Sequence, residues 1–205
     1  IMHNSLNNLI SIKNEIYQIN KQTKVIVVSK TFPIDNVMPL ISYGHEDFGE
    51  NKVQEAEKKW LSIKNDFPNL KLHMIGKLQT NKVKHVIPLF DYIHSLDNLK
   101  LAEKIAQEQS IKKKRIKIFI QVNIGEEDQK SGISIEKLPE FYSKCLKELN
   151  LDIIGLMCLP PIKKDPIFYF EKMKNLKNNL NCKDLSMGMS NDYLLSTNHD
   201  ATFVR

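Results

Sequence analysis

Val25-Ile26-Val27-Val28-Ser29-Lys30 is the stretch on which the fold turns. Four consecutive β-branched apolar residues have the composition of a strand buried on both faces. Thr31, Phe32 and Pro33 end it, and Pro33 suits the first turn of a helix. Lys30 is therefore expected at the carboxyl end of a buried strand, the place where α/β folds bind ligands and do chemistry. Burial of an ammonium costs hydration. It also favours the neutral amine, the nucleophile that forms Schiff bases with aldehydes. The plain alternative is a lysine that snorkels from a strand end into solvent.

Outward from this stretch, apolar spacing predicts a regular alternation of elements. A leading amphipathic helix is expected over residues 4–20, with Leu6, Leu9, Ile16 and Ile19 on one face. After the first strand comes a helix to Tyr43, ended by Gly44. Further strands are expected near residues 46, 71, 91, 116, 151, 184 and 201. Helices are expected over 50–64, 79–87, 97–109, 135–149, 166–180 and 191–197. Strict alternation implies parallel pairing through right-handed crossovers. Eight such units match a closed (β/α)₈ barrel, preceded here by one extra helix. An open doubly wound sheet is the competitor, but no glycine-rich dinucleotide fingerprint follows the first strand. No internal repeat or linker divides the chain, so one domain over residues 1–205 is expected.

Composition narrows the function classes. The chain has 205 residues, 41% of them hydrophobic and 26% charged, as in ordinary globular proteins. No apolar run reaches the ~20 residues of a membrane helix. The first twenty residues lack a signal-peptide pattern. Cys145, Cys158 and Cys182 are far apart and odd in number, which suggests reduced thiols in a cytoplasmic protein. The net charge is +6, with a local run Lys112-Lys113-Lys114-Arg115. Of the 30 basic residues only Arg115 and Arg205 are arginine, which weighs against base reading and bidentate phosphate grip, and so against nucleic acid. The basic run is expected to be a solvated loop.

In a barrel every strand end faces one mouth. That set would include Ser29-Lys30-Thr31, Gly49-Glu50-Asn51, Gly76-Lys77, Ser95, Asn123, Gly188-Met189-Ser190 and Arg205. It contains no His/Cys/Asp set at metal-ligand spacing. His73 and His94 lie within strands and are expected to be satisfied core histidines. Ser186-Met187-Gly188-Met189-Ser190-Asn191-Asp192 combines a strand end, a glycine turn and a serine placed to cap a helix. A serine hydroxyl with free N–H groups at a helix start makes an anion site, and an ordinary N-cap is the plain alternative. A phosphate near Ser190 and an aldehyde at Lys30 together describe pyridoxal 5′-phosphate.

The strings VVSKTFP (27–33), FGENKVQEA (48–56), HMIGKLQTNK (73–82), SLDN (95–98), QVNIGEEDQKSGI (121–133), GLMCLP (155–160) and LSMGMSND (185–192) carry a more specific signal. In this order they closely resemble the pyridoxal phosphate homeostasis protein family (YggS/PROSC). The resemblance implies a single barrel like the N-terminal domain of alanine racemase. It implies Lys30 as the Schiff-base lysine, Asn51 near the cofactor ring, Gly188 and Ser190 on the phosphate, and Arg205 opposite the pyridine nitrogen. In the resembled family the last strand runs on past the arginine into a Gly-Thr turn, whereas this sequence stops at Arg205. Ser190 is therefore expected to carry a larger share of the phosphate.

The function so implied is pyridoxal 5′-phosphate binding in intracellular vitamin B6 homeostasis, with no catalytic residue and no turnover. The rival is a cofactor-dependent enzyme such as an amino-acid racemase or decarboxylase. Alanine racemase adds a second, β-rich domain that supplies another base, and no such domain is expected here. A cytoplasmic monomer is expected, whose partners are the cofactor and the apo-enzymes that use it, with neither membrane nor nucleic acid.

Overall fold

The computed structural model describes residues 4–128 and 130–205; residues 1–3 and residue 129, which falls inside the matched string 121–133, lie outside the described residues. The chain opens with α1 (Asn4–Ile19), which buries Leu9 and Ile16. The first strand follows as two short segments, β1 (Lys24–Val25) and β2 (Val27–Val28), with Ile26 between them. Then come β3 (Asp47–Glu50), β4 (Lys71–Met74), β5 (Tyr92–Leu96), β6 (Lys117–Gln121), β7 (Asp152–Met157), β8 (Asp184–Ser186) and β9 (Phe203–Val204). Between them run α2 (Ile34–Tyr43), α3 (Val53–Asp66), α4 (Val83–Leu89), α5 (Leu99–Lys112), α6 (Leu138–Lys147), α7 (Pro166–Leu180) and α8 (Tyr193–Asn198).

Every strand pairing is parallel, in the order β1-β9-β8-β7-β6-β5-β4-β3-β2. The run 24–28 closes the ring. Its first half pairs with β9, its second half with β3, and the Ile26 N–H donates to Val204 O across 2.8 Å. The expected eight-stranded barrel with a leading helix is therefore the fold.

The barrel divides its apolar residues into two sets. Ile26, Tyr92, Phe119, Met157 and Phe203 form a small inner cluster. The larger cluster, with Phe48, Trp60, Phe90 and Phe170, lies between the sheet and the helices. Two periods of side-chain direction cause this: alternate strand residues point in or out, and each helix lays one stripe on the outward ones.

Two expectations need correction. Of the opening apolar run only Ile26 is buried, while Val25, Val27 and Val28 are half-buried. Lys30 lies beyond the strand, in a turn, and is exposed. Two-residue segments at a ring closure leave the strand end close to solvent, so this side chain is not buried as expected. The basic run leaves α5 for the expected surface loop, with Lys113 and Arg115 exposed. Lys112 ends α5, Lys113 takes a left-handed conformation at φ 51°, and Lys114 Nζ donates to Phe90 O at 2.9 Å.

Candidate functional site

Since all strands run the same way, all their carboxyl ends meet at one mouth. Gly188 and Ser190 follow β8, Arg205 follows β9, Lys30 follows β2, and Asn51 follows β3. Around the ring these are four neighbouring strands, once the split strand 24–28 is counted as one. The five sequence-predicted residues thus share one side of the mouth. Arg205 and Gly188 are joined directly, the Arg205 N–H donating to Gly188 O at 3.0 Å.

The Lys30 turn is held from behind. Phe32 N–H donates to Ser29 O at 3.2 Å, and Thr31 sits at φ 66°, a strained conformation for a β-branched residue. The strain is sustained by partners on both sides. Ser29 Oγ donates to Glu50 Oε1 at 2.7 Å, and Thr31 N–H donates to Glu55 Oε1 at 2.5 Å. Lys59 Nζ donates to Ser29 O at 2.6 Å and to Glu50 Oε1 at 2.8 Å. Trp60 Nε1–H completes the set on Glu50 Oε1 at 2.9 Å. Glu50 is fully buried, and its second oxygen, Oε2, has no partner.

Two backbone features shape the mouth. Gly188 adopts φ +100°, and a Cβ there would fall on Ser196 Oγ, so the turn after β8 excludes any side chain. At Gly76 the backbone runs so close to Asn51 that a Cβ would overlap the Asn51 carbonyl. Ser190 is not the helix cap that the sequence suggested. It is an exposed turn residue, and α8 begins three residues later with Asp192 at its N-cap. Asp192 Oδ1 accepts from Met189 N–H at 2.7 Å, so the aspartate, not the serine, braces this turn.

Arg205 carries the most informative atom. Nη1 donates to Ser186 Oγ at 3.0 Å, whereas Nη2 is buried with no partner. A buried guanidinium nitrogen without an acceptor costs free energy, so the site calls for a ligand acceptor there. An unprotonated ring nitrogen fits that requirement.

Below the mouth, the interior is polar along one line. His73 Nε2 lies 2.8 Å from Asp47 Oδ1, His73 Nδ1 lies 2.8 Å from His94 Nε2, and His94 Nδ1 lies 2.7 Å from Ser186 Oγ. Both rings are buried and satisfied, as expected for core histidines. Burial lowers both pKa values below the ordinary histidine value, and for His94 the neighbouring His73 and Arg205 lower it further. Burial works against the Asp47 carboxylate, but the His73 hydrogen bond and the charges around it bring its pKa below the ordinary value. Burial also pushes the Cys158 thiol up to about 12. Among the described residues, no group of three or more His, Cys, Asp and Glu could hold a metal ion.

Sequence reasoning missed Glu50, Glu55, Lys59 and Trp60 as supports of the lysine turn, and Asp47 and Ser186 as partners of the histidines. A signal existed for the first group. Glu50 is a charge inside a buried strand, and Glu55 and Lys59 stand at i,i+4 on the helix that follows.

Residues 6–205 match the alanine racemase N-terminal domain family. The pyridoxal phosphate homeostasis protein of Aquifex aeolicus is 36% identical over 192 residues, covering 89% of this chain and 83% of that protein. The chain belongs to the pyridoxal phosphate homeostasis protein family. The homologue of Haemophilus influenzae with the same name is 32% identical over 192 residues, or 89% of this chain and 81% of its own length. Among solved structures, PipY of Synechococcus elongatus superposes with a TM-score of 0.90 without PLP and 0.86 with PLP bound. Each of the two PipY structures is 29% identical, covering 97% of this chain and 95% of the other. For this family member the expected alanine-racemase-like barrel is the observed one. Among the described residues no helix is long and apolar enough to cross a membrane.

Proposed function

We propose that this protein binds pyridoxal 5′-phosphate and serves its intracellular homeostasis as a carrier or buffer, without turnover. The observation that carries the reading is the buried, unpartnered Nη2 of Arg205, one strand away around the ring from the Lys30 turn. Family membership and the PLP-bound PipY structure support it.

In this reading Lys30 supplies the amine that holds the cofactor's aldehyde carbon, and the brace of Glu50, Glu55 and Lys59 aims its turn. Arg205 Nη2 donates to the pyridine nitrogen, and Asn51 lies beside the ring. Ser190 and the Gly188 turn take the phosphate. When bound, pyridoxal phosphate supplies an electrophilic carbon and an electron-accepting ring. A permanent cation donating to the ring nitrogen disfavours its protonation and so weakens that electron sink, which argues for storage over catalysis. The barrel acts as a single cofactor-binding domain and as a cytoplasmic monomer, and cofactor-requiring apo-enzymes are its recipients.

Titration of the purified protein with pyridoxal phosphate tests this. A saturable visible absorbance band is expected, and Lys30→Ala should abolish it. An unchanged band in Lys30→Ala, or no band in the parent protein, would contradict the proposal. Incubation of the loaded protein with L-alanine or L-arginine should give racemisation or decarboxylation no faster than free cofactor.

A further inference from the structure

The polar line inside the barrel joins its two ends. Asp47 opens β3 at the amino end, and Arg205 follows β9 at the mouth. Between them stand His73, His94 and Ser186, each within 3.0 Å of the next partner. TIM-type barrels usually fill this space with branched apolar side chains. Here a carboxylate, two imidazoles and a hydroxyl share it with the small apolar cluster of Ile26, Tyr92, Phe119, Met157 and Phe203, at a desolvation cost that only full satisfaction offsets.

The donors in this line can be assigned one after another. An ionised carboxylate only accepts, so His73 Nε2 bears the proton facing Asp47. The ring is buried and neutral, so its Nδ1 is an acceptor and must receive the Nε2–H of His94. His94 Nδ1 is then an acceptor in turn and takes the Ser186 hydroxyl proton. A guanidinium only donates, so Ser186 Oγ accepts from Arg205 Nη1. Every proton points from Arg205 toward Asp47. Reversal of any single bond would set two donors or two acceptors face to face. Aromatic neighbours pack both rings in place: Tyr92 stacks on His73 at 4.2 Å and Phe119 on His94 at 4.5 Å, with Phe203 edge-on to His73 at 4.9 Å.

We propose that Asp47, His73, His94 and Ser186 are positioning residues, a polarised relay anchored at the far end of the barrel that fixes the Arg205 guanidinium through Nη1 and leaves Nη2 as a free donor for an acceptor atom of the ligand. Selectivity for an unprotonated ring nitrogen is then set partly by Asp47, a residue remote from the ligand. The inference rests on the placement of the ring nitrogen at Arg205 given under Proposed function.

Two measurements on the full chain test it. The first is ¹⁵N NMR of labelled histidines, before and after loading with pyridoxal phosphate. His73 and His94 should both be neutral Nε2–H tautomers. An Nδ1–H tautomer or an imidazolium at either ring overturns the relay. The second compares binding of pyridoxal phosphate with its 1-deaza analogue, in which C–H replaces the ring nitrogen. The parent protein should prefer the nitrogen ligand. Asp47→Asn, whose amide no longer imposes a direction, and Ser186→Ala should each reduce that preference roughly tenfold. Ser186→Thr, which keeps the hydroxyl, should restore it. If the variants weaken both ligands equally, the line is only structural and the proposal fails. If the parent protein binds both ligands alike, the ring nitrogen is not at Arg205, and the use proposed for the relay falls with that placement. The tautomers then show separately whether the relay itself stands.

Discussion

Lys59 Nζ lies 2.6 Å from the carbonyl oxygen of Ser29, so a side chain of α3 grips the residue that precedes Lys30. The same ammonium pairs with Glu50, whose side chain is 0% exposed against 8% for Lys59. A buried pair adds little net stability, but removal of one partner leaves the other charge uncompensated. Lys59→Met should therefore destabilise the protein by about 3–5 kcal/mol. Glu50→Gln combined with Lys59→Met should recover part of that loss. Urea denaturation of the two single variants and the double variant measures the coupling, and additive losses would contradict the pairing.

Gly188 combines φ +100° with a neighbour, Ser196 Oγ, that a Cβ would strike. Gly188→Ala should cost on the order of 1–3 kcal/mol from backbone strain alone. It should also displace the Gly188 carbonyl that accepts from Arg205 N–H, and so weaken cofactor retention. Thermal melting and cofactor release after dilution report these two effects. Unchanged values in both would refute the role given to this turn.

Stability should fall as the solution is made acidic from neutrality. His73 and His94 are buried with pKa values held below the ordinary ~6.5. Below that pH the unfolded chain takes up protons that the folded chain refuses. Their contribution is therefore fully present above ~6.5 and is lost as pH falls toward the folded values, by at most ~1.4 kcal/mol per histidine per pH unit. Asp47, also depressed, adds a further loss below ~3.9. Urea midpoints at about pH 7.5 and about pH 5.5 should show the lower stability at the acid value, with a smaller drop in His94→Gln. A midpoint that is flat or rises on acidification would contradict neutral, buried rings.

Ser190 is exposed and uncapped, yet it stands at the mouth beside the Gly188 turn. Loss of its hydroxyl should remove a hydrogen bond to a charged acceptor, worth about 1.5–3 kcal/mol. Ser190→Ala should therefore narrow the gap in affinity between pyridoxal phosphate and pyridoxal. Full retention of that preference would place the phosphate elsewhere.

Much of this architecture was legible in the residues. Regular alternation of apolar strands and striped helices specifies a parallel barrel, because the two periods, two and three to four residues, are distinct. The element 166–180 was read to its exact ends, marked by Asp165 and Pro166 at one side and a left-handed Asn181 at the other. What sequence could not show is contact between distant strands. His73 and His94 read as satisfied, but their partners Asp47 and Ser186 lie 26 and 92 residues away. Nor could spacing show that Lys30 sits past the end of its strand, because ring closure by two short segments, not hydrophobicity, sets where that strand stops. Ser190 looked like an N-cap because it follows a glycine turn, but α8 starts three residues on, with Asp192 at the N-cap position and its carboxylate turned back to Met189 N–H.

In the proposed function Lys30 holds the cofactor covalently. Borohydride reduction of the loaded protein, followed by proteolysis and mass mapping, tests it most directly. A single pyridoxyl-phosphate adduct on the peptide containing Lys30 is the predicted result. An adduct on another lysine, or none, would contradict the account.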